Sequence, residues 1–120
     1  MRIEEIQRSL EKLKASCTDI EGVVLTSQEG FIVASILPPT LDEERVSALS
    51  AAFFGLAQRC TEEFGKVHPR QIYIQTDQGY IVTMGVNPDA YVTVLTSRFA
   101  KAGMILLDMR KAAEEIRNLL

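Results

Sequence analysis

The sequence predicts a single α+β domain spanning residues 1–120, in which a five-stranded antiparallel sheet carries helices on both faces. The length of 120 residues fits one domain, and a hydrophobic fraction of 47% lies in the globular range. Segments with helical and strand periodicity follow one another in the order α-β-β-α-β-β-β-α. The strands form two groups joined by short turns, which favours antiparallel pairing, and a sheet that is apolar on both faces needs helices over both.

The first helix is predicted from apolar residues at spacings of three and four. Charged side chains fill the positions between them, so one side of this helix faces a core and the other faces water. The stripe consists of Ile3, Ile6, Leu10, Leu13 and Cys17.

Residues 22–35 follow as a hairpin of two short apolar strands about the turn from Ser27 to Gly30. Gly30 takes the positive φ that such a turn requires. Pro38 and Pro39 end the second strand, because proline donates no hydrogen bond to a ladder.

A long central helix is predicted over residues 41–64. Thr40 and Glu43 have the spacing of a capping box, in which each side chain accepts from the other residue's N–H. Gly65 follows the last apolar residue, as expected of the glycine that ends a helix.

The central helix has two low-charge sides. One is an apolar stripe predicted to cover the sheet: Val46, Leu49, Phe53, Leu56, Cys60 and Phe64. The other carries the small residues Ala48, Ala51, Ala52 and Gly55, with Phe54 between the two sides as an exposed aromatic in a monomer. Either alanine serves there simply as a good helix former, or the small residues allow a second helix to approach closely. The second interpretation explains Gly55 better, since glycine inside a helix costs about 1 kcal/mol relative to alanine.

Three strands and a closing helix complete the chain. The strands cover residues 71–76, 80–86 and 90–96, and a helix begins near Ala100 with core candidates at Met104, Leu107, Ile116 and Leu120. The segment 71–76 has no charge, proline or glycine. It is either an interior strand or an unprotected edge able to pair with another chain.

Composition argues against several classes of function. A net charge of −3 argues against a nucleic-acid partner. Cys17 and Cys60 lack metal-binding spacing, and we expect two reduced core cysteines without a disulfide. The sequence shows no signal-peptide pattern and no apolar run near the roughly 20 residues of a membrane span, so the cytoplasm is the expected compartment, without membrane insertion.

Side chains suited to catalysis are not arranged for it. His68 lies beside a proline without triad or metal spacing, and Ser27 and Cys17 have no base placed for them. Adjacent Glu62 and Glu63 point to different sides of a helix. A phosphate-binding loop is also missing. The sequence therefore predicts no enzyme, no cofactor, no metal and no GTP binding by this chain itself.

Three segments taken in order resemble the Roadblock family, whose fold is profilin-like. They are the hairpin at 22–35, the meander at 71–95 and the run 103–113, in which a glycine precedes an apolar stretch. The resemblance covers nearly the whole chain. It implies a small dimeric regulator or adaptor of GTPases and motors, similar to the prokaryotic members that pair with a Ras-like polarity GTPase.

The family resemblance also implies where partners bind. The edge strand pairs with its copy across a twofold axis, beside paired central helices that hold the GTPase. The dimer candidates are Ala48, Ala51, Ala52, Phe54, Gly55, Gln71, Ile72, Tyr73, Ile74 and Gln75, and the GTPase contact candidates are Phe54, Gln58, Arg59 and Glu62. A structural adaptor of a motor or membrane-associated complex is the alternative. Four basic residues are candidates for touching an acidic or nucleotide-bearing partner, although each is also typical of a solvated surface: Arg59, Arg70, Arg98 and Lys101.

Overall fold

The computed structural model describes residues 2–120, which form three helices and five strands in the predicted order. The elements are α1 (Ile3–Ala15), β1 (Ile20–Ser27), β2 (Ile32–Ile36), α2 (Glu43–Glu63), β3 (Gln71–Thr76), β4 (Gly79–Asn87), β5 (Ala90–Thr96) and α3 (Ala102–Leu119).

The strands form one antiparallel sheet in the order β2-β1-β5-β4-β3. The predicted fold class is therefore confirmed. β3 lies at an edge, so the interior-strand alternative for this segment is wrong. The first hairpin turns at Gly30 with φ 94°, as predicted, and the β3–β4 hairpin turns at Gly79 with φ 144°.

One face of the sheet is covered by α1 and α3, which lie side by side. The face of α1 at Ile6, Leu10 and Leu13 packs into the main core, as predicted, whereas Ile3 is exposed. Inward-facing strand residues such as Val23, Leu25, Val82, Val92 and Val94 complete this core.

The predicted core face of α3 is largely wrong. Met104 is 56% exposed, and Leu107 and Leu120 are exposed as well, whereas Ile116 is buried as predicted. The helix instead buries Ile105, Met109, Ala112, Ala113 and Ile116. The adjacent Ala112 and Ala113 are buried where α3 packs on the sheet. A prediction based on large apolar residues does not include them.

The start of α2 also differs from the prediction. The helix begins at Glu43, and the capping residue is Asp42, whose Oδ1 accepts from the N–H groups of Glu44 at 3.0 Å and Arg45 at 3.3 Å. The Glu43 carboxylate accepts from the Ser35 hydroxyl at 2.9 Å and so does not close a capping box with Thr40. At the other end Gly65 has φ 71°, which confirms its role as the glycine that ends the helix.

Candidate functional site: the α2 face

The sheet face opposite α1 and α3 is covered by α2 alone, which packs mainly on β1 and reaches β2 and β5. Within Glu43–Glu63 the buried residues are Ser47, Ser50 and Phe54. The Phe54 ring stacks on Tyr91 with centroids 4.3 Å apart and lies over Gly85. Phe54 is only 3% exposed, so its prediction as an exposed contact residue for the dimer or the GTPase is wrong.

Hydroxyl groups fill much of the space beneath α2. Ser47 Oγ donates to Thr26 Oγ1 of β1 at 2.9 Å, and Thr83 and Thr93 share a hydrogen bond of 2.9 Å between β4 and β5. Thr26, Thr83 and Thr93 are all buried. Since these hydroxyls satisfy one another, polar residues lie between α2 and the sheet without the cost of an unpaired buried group.

Most of the apolar stripe predicted to cover the sheet faces outward instead, whereas Val46 and Phe53 are half-buried. Leu49 is 60% and Leu56 is 66% exposed, and Phe64 is exposed as well. Cys60 is exposed too, so its prediction as a core cysteine is wrong, whereas Cys17 is half-buried against the core, and both thiols are free. The helix phase follows Ser47, Ser50 and Phe54, which have spacings of three and four. Ser47 and Phe54 have partners on the sheet, whereas the Ser50 hydroxyl donates to the Val46 carbonyl within α2 at 2.8 Å.

Part of the small-residue side of α2 has a partner within the chain. A Cβ placed on Gly30 would lie 3.3 Å from the Ala48 Cα and 3.8 Å from the Ala51 Cβ, so these alanines accommodate the β1–β2 turn. Ala52 is exposed and Gly55 is half-buried. The four small residues therefore do not form one surface for a second helix.

An apolar groove of about 460 Å³ lies between α2 and the half of the sheet that α2 leaves uncovered. Its apolar lining comes from both walls: Val46, Leu49 and Phe53 on α2, and Ile74, Ile81 and Leu95 on the strands. Apolar surface that is exposed and contiguous marks an interaction site in a folded protein.

The two edges of the sheet differ in their protection. At the β2 edge, Gln7 Nε2 donates to the Ser35 carbonyl at 3.2 Å, so a side chain of α1 occupies a backbone acceptor. At the β3 edge, all of Gln71, Tyr73, Ile74 and Gln75 are exposed, and within residues 2–120 no side chain bonds the β3 backbone from Gln71 to Gln75. The β3 edge therefore remains open for pairing.

The other predicted contact residues lie at several places. Gln58, Arg59 and Glu62 are exposed on the C-terminal half of α2, consistent with a contact role. The four basic candidates lie on three segments of the chain: Arg59 on α2, Arg70 before β3, and Arg98 and Lys101 before α3. The Arg98 guanidinium lies 4.9 Å from the centroid of the Phe99 ring.

His68 and Tyr91 are titratable side chains near one end of this face. His68 is exposed in the loop before β3 and has φ 58°. Among residues 2–120, no group of three or more His, Cys, Asp or Glu side chains is arranged to hold a metal ion. Tyr91 has a pKa raised above its usual 10.0, first by burial and then by the charges of Asp89 and Glu29. No sequence pattern distinguishes Tyr91 from an ordinary strand residue.

No helix within residues 2–120 has the length and apolar character to cross a bilayer.

The arrangement is that of a profilin-like domain. The fission yeast profilin (Schizosaccharomyces pombe) superposes with a TM-score of 0.68 at 14% identity, over 94% of this chain and 97% of that chain. Myxococcus xanthus MglB superposes with a TM-score of 0.91 at 14% identity, over 98% of this chain and 88% of that chain. These two likenesses show the fold.

Sequence comparison then defines the family. The family model of the Roadblock/LC7 domain matches residues 6–96. The uncharacterized protein MJ1340 of Methanocaldococcus jannaschii is 32% identical over 98 residues, which cover 82% of this chain and 85% of that protein. This chain belongs to the Roadblock/LC7 family, and the family predicted from the hairpin, the meander and the last helix is confirmed.

Proposed function

We propose that this protein is a homodimeric, non-catalytic regulator of a Ras-like small GTPase in the cytoplasm. The observation that carries the proposal is the open β3 edge beside the outward apolar side of α2. Membership of the Roadblock/LC7 family supports it, because the resemblance implies dimeric regulators and adaptors. The regulator would change the nucleotide turnover of its partner without supplying a cofactor or a metal.

The first step of the proposal is the dimer. Antiparallel pairing of β3 with its copy gives partners to the backbone groups of Gln71–Gln75 and places the two α2 helices beside each other. The apolar groove and the exposed leucines then lie at the interface. The proposed helix contacts are Leu49, Phe53 and Leu56, flanked by Ala52 and Gly55, while Ile72, Tyr73 and Ile74 belong to the strand contact. Ala48 and Ala51 lie at the hairpin side of this contact.

Oligomeric state tests this step. We expect a dimer at micromolar concentration by analytical ultracentrifugation. Leu56→Arg and Ala52→Arg place a charge in the interface and should shift the protein to monomer. Lys12→Ala on the exposed side of α1 is the matched control and should leave the dimer intact. A species of 13.4 kDa alone in the unmodified protein would contradict the proposal.

The second step is the GTPase platform. Two adjacent α2 helices present one low-charge surface, and depletion of charge is typical of interface cores. Gln58, Arg59 and Glu62 lie at the exposed C-terminal half of α2 and form the proposed rim contacts. Phe54 acts only by holding α2 on the sheet.

GTP turnover tests the second step. The rate of a Ras-like GTPase encoded beside this protein would be measured with and without the dimer. Gln58→Glu and Arg59→Glu should weaken the effect with dimerisation verified, whereas Arg8→Glu on α1 should not. If the dimer binds the GTPase and leaves its turnover unchanged, the adaptor function is the correct one. If only Arg8→Glu prevents binding, the platform lies on the other face.

A further inference from the structure

A wide cleft of about 860 Å³ lies at the end of the sheet where β3 begins. The loop before β3, the last residues of β4 and the C-terminal half of α3 form its walls. Its floor includes the apolar residues Met84, Val86 and Ala113. The cleft is separate from the apolar groove beside α2, because the two share no lining residue.

Positive charge is concentrated in this cleft. Arg70, Arg110 and Arg117 all line it, against one acidic lining residue, Glu114. Among residues 2–120, none of these guanidinium groups has a carboxylate oxygen within 4.0 Å, since the ion pairs found there are Arg2–Glu5 and Lys12–Glu115. Three unpaired arginines on one cleft stand out in a chain of net charge −3.

One of the three arginines is held in place by the backbone. Arg117 Nε donates to the Val86 carbonyl at 2.7 Å, so its remaining N–H groups stay free for a ligand. Guanidinium groups fixed in this way bind carboxylates with two parallel hydrogen bonds and lose little side-chain entropy.

Tyr91 contributes a second, independent feature. The residue is 3% exposed and its ring is stacked on Phe54, yet it lines the cleft. Its hydroxyl has no hydrogen-bond partner among residues 2–120, and no buried side-chain polar atom there is left unsatisfied, so the hydroxyl meets solvent in the cleft. A rigid donor in this position suits a carbonyl oxygen.

Carboxamide groups also line the cleft, at Gln28, Gln58, Gln71 and Asn87. Carboxamides donate and accept together, as the peptide backbone does. β3 pairs with β4 only as far as Gln71 and Met84, so β4 extends beyond the start of its neighbour toward Asn87. The lining therefore contains groups that suit peptide bonds together with groups that suit carboxylates.

We propose that this cleft binds an extended acidic peptide segment of a partner protein. The arginines pair with the acidic side chains, and the carboxamides and the Tyr91 hydroxyl bond the peptide backbone. A phosphate group is a poorer match, because compact anions favour donors that converge on one point, whereas Arg70 lies in the loop before β3 and the other two arginines lie on α3. Arg110 and Arg117 lie on α3, whereas Gln58 and Tyr91 lie on the α2 side of the sheet, so the cleft extends around the end of the sheet. Gln58 and Gln71 are also proposed contacts for the GTPase and the dimer, so the two arginines of α3 are the residues that test the peptide site separately.

Fluorescence anisotropy with the full chain tests the proposal. The probe is a fluorescein-labelled octapeptide of alternating Glu and Ser, and the control peptide replaces each Glu with Gln. We expect the acidic peptide to bind more tightly, and the double variant Arg110→Gln/Arg117→Gln to weaken binding by about tenfold. The matched control Arg8→Gln removes an exposed arginine of α1 and should leave binding unchanged. Tyr91→Phe should weaken binding by a few-fold.

Amide chemical shifts and competition locate and identify the ligand. We expect the peptide to shift the N–H signals of Gly85 and Ala113, which lie in the cleft. The proposal is overturned if the peptide does not bind at millimolar concentration, if both peptides bind equally, or if the arginine variants bind as the unmodified protein does. It is also overturned if inorganic phosphate or vesicles of anionic lipid displace the peptide more effectively than unlabelled peptide. Dimerisation of the double variant, measured in parallel, keeps this outcome separate from that of the proposed function.

Discussion

The two faces of the sheet are built from different kinds of contact. Beneath α1 and α3, large apolar side chains such as Ile6, Leu10, Met109 and Ile116 are fully buried. Beneath α2, the contacts with the sheet include one hydroxyl pair, Ser47 with Thr26, and one aromatic stack, Phe54 on Tyr91. On their outer sides the order is reversed, and α2 is the more apolar helix. It exposes Leu49 and Leu56, whereas α1 exposes mostly charged residues.

This difference separates the residues that stabilise the domain from those that we propose for binding. A fully buried aliphatic side chain contributes about 1.5–3 kcal/mol, so the α1/α3 face supplies most of the hydrophobic stabilisation. The α2 face spends less of its apolar surface on folding and keeps it available for a partner. Substitutions on each face, compared by their effect on the free energy of unfolding, test this separation.

The largest expected effect comes from removing the one large apolar side chain that α2 buries within Glu43–Glu63. Phe54→Ala should lower the free energy of unfolding by about 3–5 kcal/mol, because it loses both the burial and the stack on Tyr91. Urea denaturation measures the change. Phe53→Ala, at the half-buried neighbouring position, is the matched control and should cost much less. Equal losses for the two variants would show that α2 is not anchored by Phe54.

A matched pair of leucines compares the two faces directly. Leu10→Ala, at a fully buried position, should cost about 2–5 kcal/mol. Leu49→Ala, at a position 60% exposed, should change the stability of the monomer by no more than about 0.5 kcal/mol. Both would be measured in the Leu56→Arg background, so that dimerisation does not contribute. A large loss for Leu49→Ala in that background would contradict the separation.

Breaking the hydroxyl pair beneath α2 should cause a smaller loss of stability, and a second substitution should partly reverse it. Ser47→Ala leaves the buried Thr26 hydroxyl without its partner at 2.9 Å and should cost about 1–3 kcal/mol. Adding Thr26→Val removes the unpaired group and should recover part of that loss. A double-mutant cycle by urea denaturation measures the coupling. Additive losses would mean that the hydroxyls do not act as a pair.

The pattern of this sequence predicted the element order well and the orientation of two helices poorly. Short apolar runs bounded by turn residues identified the strands. These signals are local in sequence, as with Gly30 in the turn of the first hairpin. The rotation of α2 about its axis depends on partners distant in sequence. Ser47 and Ser50 are residue types typical of a surface, and only the folded structure shows them buried against the sheet, with Thr26 bonded to Ser47. The clefts beside β3 likewise arise from tertiary packing. The sequence indicated an interaction site in two places only, the uncharged segment Gln71–Thr76 and the small-residue side of the central helix.

The start of α2 provides a prediction that separates two candidate caps. Asp42→Ala removes an acceptor for the N–H groups of Glu44 and Arg45 and should cost about 0.5–2 kcal/mol. Thr40→Ala should stay within about 0.5 kcal/mol, because Thr40 lies outside the helix. Thermal unfolding of the two variants gives the comparison. The reverse order of losses would restore the capping box from Thr40 to Glu43.

The smallest expected effect appears only at alkaline pH and concerns Tyr91. Burial, assisted by the charges of Asp89 and Glu29, raises the pKa of this phenol above 10.0 in the folded protein. Below about pH 10 both states keep the proton, so Tyr91 adds no pH dependence there. Above about pH 10, the unfolded chain releases a proton that the folded chain retains. The free energy of unfolding therefore falls with pH until the pH reaches the raised pKa of Tyr91. Urea denaturation between about pH 9 and about pH 11 should therefore show a steeper loss for the unmodified protein than for Tyr91→Phe. Equal slopes would mean that the Tyr91 hydroxyl is as well solvated in the folded protein as in the unfolded chain.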